Sequence, residues 1–94
     1  MKIKLITPRF GGRHFWDLAG LAELLGRRAN NLQLALPTVA ALTPPEHEVV
    51  LVDDRFEDLG LDEPVDLVGV TGMTCYAPRA FAIADAFRAR GVPV

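Results

Sequence analysis

Hydroxyl-bearing and small residues gather at two places in the chain, Thr7-Pro8-Arg9 and Thr71-Gly72-Met73-Thr74, each straight after a short run rich in β-branched residues. Side chains of this kind let a bulky ligand come close to the backbone, and threonine hydroxyls donate and accept hydrogen bonds without a charge. Arg9 and Arg13 flank the first place and suit phosphate or amide oxygens. Trp16 offers a flat face for stacking. The plainer roles are solvated arginines and a tryptophan that staples a helix start to the core. Covalent chemistry is poorly provided for. The candidate loops hold no paired carboxylates, no Ser/His/Asp set and no activated nucleophile, and Cys75 has no base beside it.

The elements that position these residues follow from hydrophobic spacing. Lys2–Ile6 reads as a first strand, and Pro8 with Gly11-Gly12 punctuates the loop after it. Leu18, Leu21, Ala22 and Leu25 recur at helical spacing and predict an amphipathic helix, with Asp17 in its first turn and Gly26 at its end. Leu36–Leu42 predicts a second short helix, with Pro37 near its start and Thr43-Pro44-Pro45 stopping it. Glu48–Val52 is a second strand. The acidic stretch Phe56–Pro64 is too short and too charged for a helix. Asp66–Thr71 is a third strand, apolar on both faces. Pro78 opens a last helix whose buried stripe is Ala80, Ile83, Ala84 and Phe87; Arg88 and Arg90 lie in its last turn and Gly91 ends it. Val92-Pro93-Val94 starts a fourth strand.

Alternating strands and helices imply an α/β fold with a mostly parallel sheet and helices on both faces. Right-handed crossovers place the first strand between the second and third, the order 2-1-3 of a flavodoxin-like or Rossmann-like sheet, with a stub of strand 4 beside the third. Five strands are usual, so residues 1–94 are expected to form an incomplete domain. The apolar third strand would then have a bare edge, which predicts self-association through that edge or a swapped last helix. Ligands of such sheets bind at the carboxyl ends of the strands. Three segments therefore matter: Thr7–His14, Asp53–Arg55 and Thr71–Ala77.

Known phosphate-binding patterns do not fit these segments. The turn after the first strand carries Pro8, Arg9 and Phe10 where a dinucleotide fold needs Gly-x-Gly-x-x-Gly. Asp53 suits a ribose hydroxyl but stands alone as a signal. No Gly-Lys-Ser/Thr occurs, and the acidic pair Asp53-Asp54 follows the second strand, not the first as a receiver domain needs.

Composition narrows the classes further. The chain has 94 residues, half of them apolar and 23% charged, which is one globular domain's worth of sequence and not a disordered segment. No apolar run approaches the roughly 20 residues of a membrane span. One cysteine excludes an internal disulfide framework and points to a reducing, cytoplasmic setting. With two widely spaced histidines it also excludes a compact zinc or iron–sulfur site. A net charge of −2 argues against general nucleic-acid binding. Charge is uneven, with nine acidic residues and one basic between 46 and 66. That stretch reads as a solvated loop and edge, or else as a partner surface.

The sequence Val65-Asp66-Leu67-Val68-Gly69-Val70-Thr71-Gly72-Met73-Thr74, then Ala77-Pro78-Arg79-Ala80 and a helix ending Arg88-Ala89-Arg90-Gly91-Val92-Pro93-Val94, resembles the N-terminal cobalamin-binding domain of cobalamin-dependent radical S-adenosylmethionine proteins. Met1–Pro8, Phe15-Trp16 through Arg28, Leu34–Pro44 and Val49–Asp53 fit the same family. The resemblance implies that cobalamin's nucleotide tail lies at the strand ends, against Thr7, Pro8 and Arg9 on one side and Thr71, Gly72, Met73 and Thr74 on the other. Many cobalamin domains place Asp-x-His-x-x-Gly after the first strand, whose histidine ligates cobalt. Here His14 has Gly12 two residues before it and Asp17 three residues after it, so no histidine ligation is expected and His14 is an exposed loop residue. His47, in the Pro-Pro-Glu-His turn, is a surface residue. The family's Cys-x-x-x-Cys-x-x-Cys motif is absent, so the resemblance implies that the iron–sulfur cluster and S-adenosylmethionine belong to a downstream radical S-adenosylmethionine domain. The chain would not be catalytic alone, its parent would be a methyltransferase or ring-forming enzyme, and the fragment would hold cobalamin poorly or not at all. The competing expectations are a non-catalytic α/β interaction module and a receiver or nucleotide-binding domain.

Overall fold

The computed structural model describes residues 1–10, 23–27 and 33–94. Its sheet is built on β1 (Lys2–Thr7), which pairs in parallel with β2 (Glu48–Asp53) on one side and β3 (Leu67–Val70) on the other, giving the order β2-β1-β3. Thr7 stands level with Asp53, and Ile6 with both Val52 and Val70, so the three strands finish together at one edge. The expected α/β architecture and strand order are those observed.

Residues of β1 alternate between two cores, as a strand buried on both faces requires. Ile3 and Leu5 pack with Leu36 of α1 (Ala35–Leu42), with Ala40, Val49 and Leu67 around them. Ile6 turns the other way, to Val52, Leu59, Val68 and the Ile83 and Phe87 side chains of α2 (Ala77–Arg88). Phe87 and Ile6 are fully buried. Each such side chain contributes about 1.5–3 kcal/mol relative to exposure. Among the described residues, α1 thus packs on one face and α2 on the other. The α2 stripe is Ile83, Ala84 and Phe87, with Ala80 half-buried; Arg90 lies past the helix end, and Gly91 (φ +77°) turns the chain there.

After that turn Val68 N–H donates to the Pro93 carbonyl (3.0 Å) on the outer side of β3. This is the position expected for a fourth strand. The chain thus runs along its own third-strand edge, and α2 packs on its own sheet; neither lends support to pairing with a second copy or to a swapped helix.

Three expectations need correction. Leu25, placed by periodicity on a buried face, is 65% exposed. It follows the last helical residue, Leu24, and lies in the turn closed by Gly26 (φ +67°), so the helical face no longer directs it. The rest of the stretch expected to be helical, with Gly11, Gly12, Arg13, His14, Trp16 and Asp17, lies outside the described residues. His47 is half-buried, its Nδ1 3.2 Å from the amino terminus. The acidic stretch is not simply solvated, because Asp53, Asp54 and Glu63 all hold cations, as described below.

Among the described residues no helix is long and apolar enough to cross a membrane.

Candidate functional site

In an open parallel sheet, loops leave to opposite sides where the strand order reverses, and a crevice opens between them. Here that point lies between β1 and β3. Their ends are joined by a hydrogen bond from Thr71 N–H to the Ile6 carbonyl (3.1 Å), and Thr7 accepts from Asp54 N–H (2.9 Å) on the β2 side. Beyond this seam lies a groove of about 180 Å³, lined by Thr7, Pro8, Gln33, Ala35, Thr71, Gly72, Met73 and Tyr76. Five of the seven residues expected to bind ligand therefore share one groove. Arg9 and Thr74 do not line it. Thr74 begins a 3-10 turn (Thr74–Tyr76) without capping it through its side chain. Arg9 points into a neighbouring cleft with Asp54 and Arg79.

The groove has a built shape. Pro8 is fully buried, and its ring fixes the first rim. The 3-10 turn, closed by Tyr76 N–H on the Met73 carbonyl (2.9 Å), forms the second rim. Tyr76 meets Phe10 edge to face at 5.9 Å between centroids, joining the two rims over an aromatic contact. A Cβ on Gly72 would stand 3.0 Å from Tyr76 Cβ and 3.6 Å from Pro8 Cγ, so glycine keeps this passage open. The volume is well under the roughly 300–1,000 Å³ of a complete drug-sized site.

Across Thr7 and Gln33 lies a second cavity of about 180 Å³, reaching Asp53, Arg55 and Glu57 at the end of β2. Asp53 does not present a free carboxylate there. Arg55 Nη2 donates to its Oδ2 (2.6 Å) and Arg55 Nε to its Oδ1 (2.9 Å). Burial raises the Asp53 pKa, and the Arg55 hydrogen bonds and charge outweigh it, leaving the group below its ordinary value. An acid so engaged is ill placed to take a ribose hydroxyl, which accords with the lack of a dinucleotide turn.

Asp54 is the buried acid of the site, its side chain 4% exposed. Arg79 holds it with two bonds, Nε to Oδ2 (2.7 Å) and Nη2 to Oδ1 (2.9 Å), and Arg9 N–H adds a third to Oδ2 (3.0 Å). Burial pushes its pKa up; the Arg79 hydrogen bonds, the Arg9 amide and the two positive charges push harder and hold it below the usual range. The same pairing raises Arg79. On the same face, beneath α2, Lys4, 1% exposed, donates to the carbonyls of Leu59 (2.8 Å) and Gly60 (3.0 Å) and to Glu63 Oε2 (2.8 Å).

The expected site list omitted Gln33, Asp54, Arg79 and Lys4. Gln33 carries no sequence signal, since it reaches the groove only because α1 packs where it does. Lys4 did carry one: a central strand leaves no residue in water, so its charge needs partners inside. Cys75 is half-buried, and no group of three or more potential metal ligands occurs among the described residues.

Over 62 residues the chain is 47% identical to the bacteriochlorophyllide d C-8(2)-methyltransferase of Chlorobaculum tepidum. This chain is similar to a segment of a methyltransferase. The match covers 65% of the chain and 14% of that protein, so the chain spans a small part of the length of this curated relative. No family model matches the chain. No solved structure matches it.

Proposed function

We propose that the chain is the cofactor-binding part of a cobalamin-dependent radical S-adenosylmethionine methyltransferase, and that its groove receives the nucleotide tail of cobalamin. The observation that carries this reading is the groove at the strand-order reversal, with Gly72 opening its floor between Pro8 and Tyr76. Similarity to a segment of a methyltransferase supports the reaction class. Thr7, Thr71 and Gln33 would hydrogen-bond the tail, Pro8, Gly72, Met73 and Tyr76 would contact its base, and Arg9 and Thr74 stand at the margin. On this reading the groove takes the tail and not the whole macrocycle. Cobalamin, when bound, supplies a cobalt able to carry a methyl group. What this chain supplies is position: two rims fixed by the sheet and small residues that admit the ligand to the backbone. An iron–sulfur cluster and S-adenosylmethionine belong, on this reading, to a further domain, and the protein works in the cytoplasm.

The test is a titration of the isotopically labelled chain with hydroxocobalamin, followed by amide resonances, with cobinamide (which lacks the tail) and ATP as controls. We expect weak, saturable shifts at Thr7, Thr71, Gly72 and Met73 with hydroxocobalamin and none with the controls. Equal shifts with cobinamide would remove the tail assignment. Silence with hydroxocobalamin would favour an interaction module that keeps the fold without the cofactor, and shifts with ATP alone would favour a nucleotide site.

A further inference from the structure

Asp54 bonds to the loop after β1 and to the start of α2 without lining the groove itself. It follows β2 directly. Its own N–H reaches the Thr7 carbonyl (2.9 Å), and its carboxylate accepts from Arg9 N–H (3.0 Å), one residue past the buried Pro8 of the first rim. The same carboxylate is gripped at both oxygens by Arg79, in the first turn of α2, three residues past the Tyr76 that ends the second rim.

We propose that Asp54 is a positioning residue that sets the width of the groove, tying the loop after β1 to the start of α2 through one buried carboxylate. This rests on the reading of the groove as the site of the cobalamin tail.

The chemistry favours a spacer over a simple staple. A carboxylate offers about four lone-pair directions, and here three are filled by donors in fixed directions from one loop and one helix. The Arg79 fork is planar and bidentate, so it fixes angle as well as distance. Because the acid is 4% exposed, slipping out of this arrangement would leave an unpaired buried charge. Stability alone does not require such a group, since apolar residues of similar volume often replace buried ion pairs without loss. Arg9 is held by its backbone N–H, and its side chain, 60% exposed, adds a looser ion pair to the same carboxylate (Nε to Oδ2, 3.9 Å).

The experiment compares Asp54→Asn, Arg79→Lys and the control Asp62→Asn, which removes the same charge from the rim of the same cleft. Amide spectra of the full chain give the first readout. Asp54→Asn should shift Arg9, Phe10, Met73 and Tyr76 and leave Ile3–Leu5 and Val49–Leu51 in place. Arg79→Lys, which keeps the charge and loses the fork, should give the same pattern at smaller amplitude, and it carries the test if the asparagine variant does not fold. Asp62→Asn should look like wild type. The second readout is hydroxocobalamin affinity, expected to fall at least tenfold in Asp54→Asn, less in Arg79→Lys and not in the control. Unmoved rim amides, or moved rims with undiminished affinity, would overturn the proposal. If the wild-type chain takes no hydroxocobalamin, the cofactor reading fails, and the rim amides alone still decide whether Asp54 sets the groove.

Discussion

The Lys4 ammonium fills the space that a side chain on Gly60 would need. A Cβ at Gly60 would lie 2.9 Å from Lys4 Nζ and 2.7 Å from Glu63 Cδ, and the glycine backbone has φ +58°. Gly60→Ala therefore meets two costs. Left-handed backbone costs an L-residue about 1–2 kcal/mol, and the ammonium must leave its carbonyl partners. We expect a loss of at least about 1.5 kcal/mol with an unchanged m-value in urea unfolding. An unmoved midpoint would show that the loop shifts at no cost.

Lys4→Met removes the donor and keeps the length of the side chain. The carbonyls of Leu59 and Gly60 then lose their partner, and the bond to Glu63 goes with it. A buried acceptor left unmade costs about 1–3 kcal/mol, and that range is expected here. Adding Glu63→Gln should recover little, because the carbonyls remain unpaired and Glu63 already meets water. Recovery of most of the loss in the double variant would place the energy in the ion pair instead.

Three carboxylates, Asp53, Asp54 and Glu63, are held below their ordinary pKa values. Unfolded carboxylates titrate near about 4. The stability these groups contribute is present in full above that value and is lost as pH falls through their lower folded values, because the unfolded chain takes up protons first. Around Asp54 the facing groups are Arg9 and Arg79, with Asp53 adjacent and Glu57, Asp58 and Asp62 on the cleft rim. The arginines stay charged throughout, so the transition belongs to the acids. Melting temperatures measured from about pH 6 to about pH 2 should fall through this window, and Asp54→Asn should flatten the fall. Glu63 is exposed, so its share is screened by solvent and should shrink in high salt. A curve for Asp54→Asn parallel to wild type would show that Asp54 is not linked to folding.

Gly72 has ordinary backbone angles, so a substitution there probes space alone. In Gly72→Ala the new Cβ stands 3.0 Å from Tyr76 Cβ, and the turn must yield by a few tenths of an ångström. We expect a stability change within about 0.5 kcal/mol and a several-fold weaker response to hydroxocobalamin. Gly72→Val should abolish the response. Unchanged titrations in both would mean that the ligand enters elsewhere.

Much of the architecture was legible because a parallel sheet imposes strong patterns on sequence. Pro78 at the start and Gly91 after the end bracket α2, and Ile83, Ala84 and Phe87 are its buried face. Thr43-Pro44-Pro45 stopped α1 at Leu42. Strand order followed from the connections, and it placed Thr7 and Thr71 side by side. The ion pairs were not legible, since they depend on distance in space. Asp54 and Arg79 are 25 residues apart, and Lys4 and Glu63 are 59 apart. Nothing local distinguishes such carboxylates from solvated neighbours like Glu46. Arg9 was picked for its guanidinium, but it is the backbone N–H that meets the buried acid.

The middle strand of the sheet is also the first to be made. Both of its neighbours come later, and the nearer, β2, begins only at Glu48. In a chain made N-terminus first, Ile3, Lys4, Leu5 and Ile6 therefore precede both of the strands they pair with in the folded sheet.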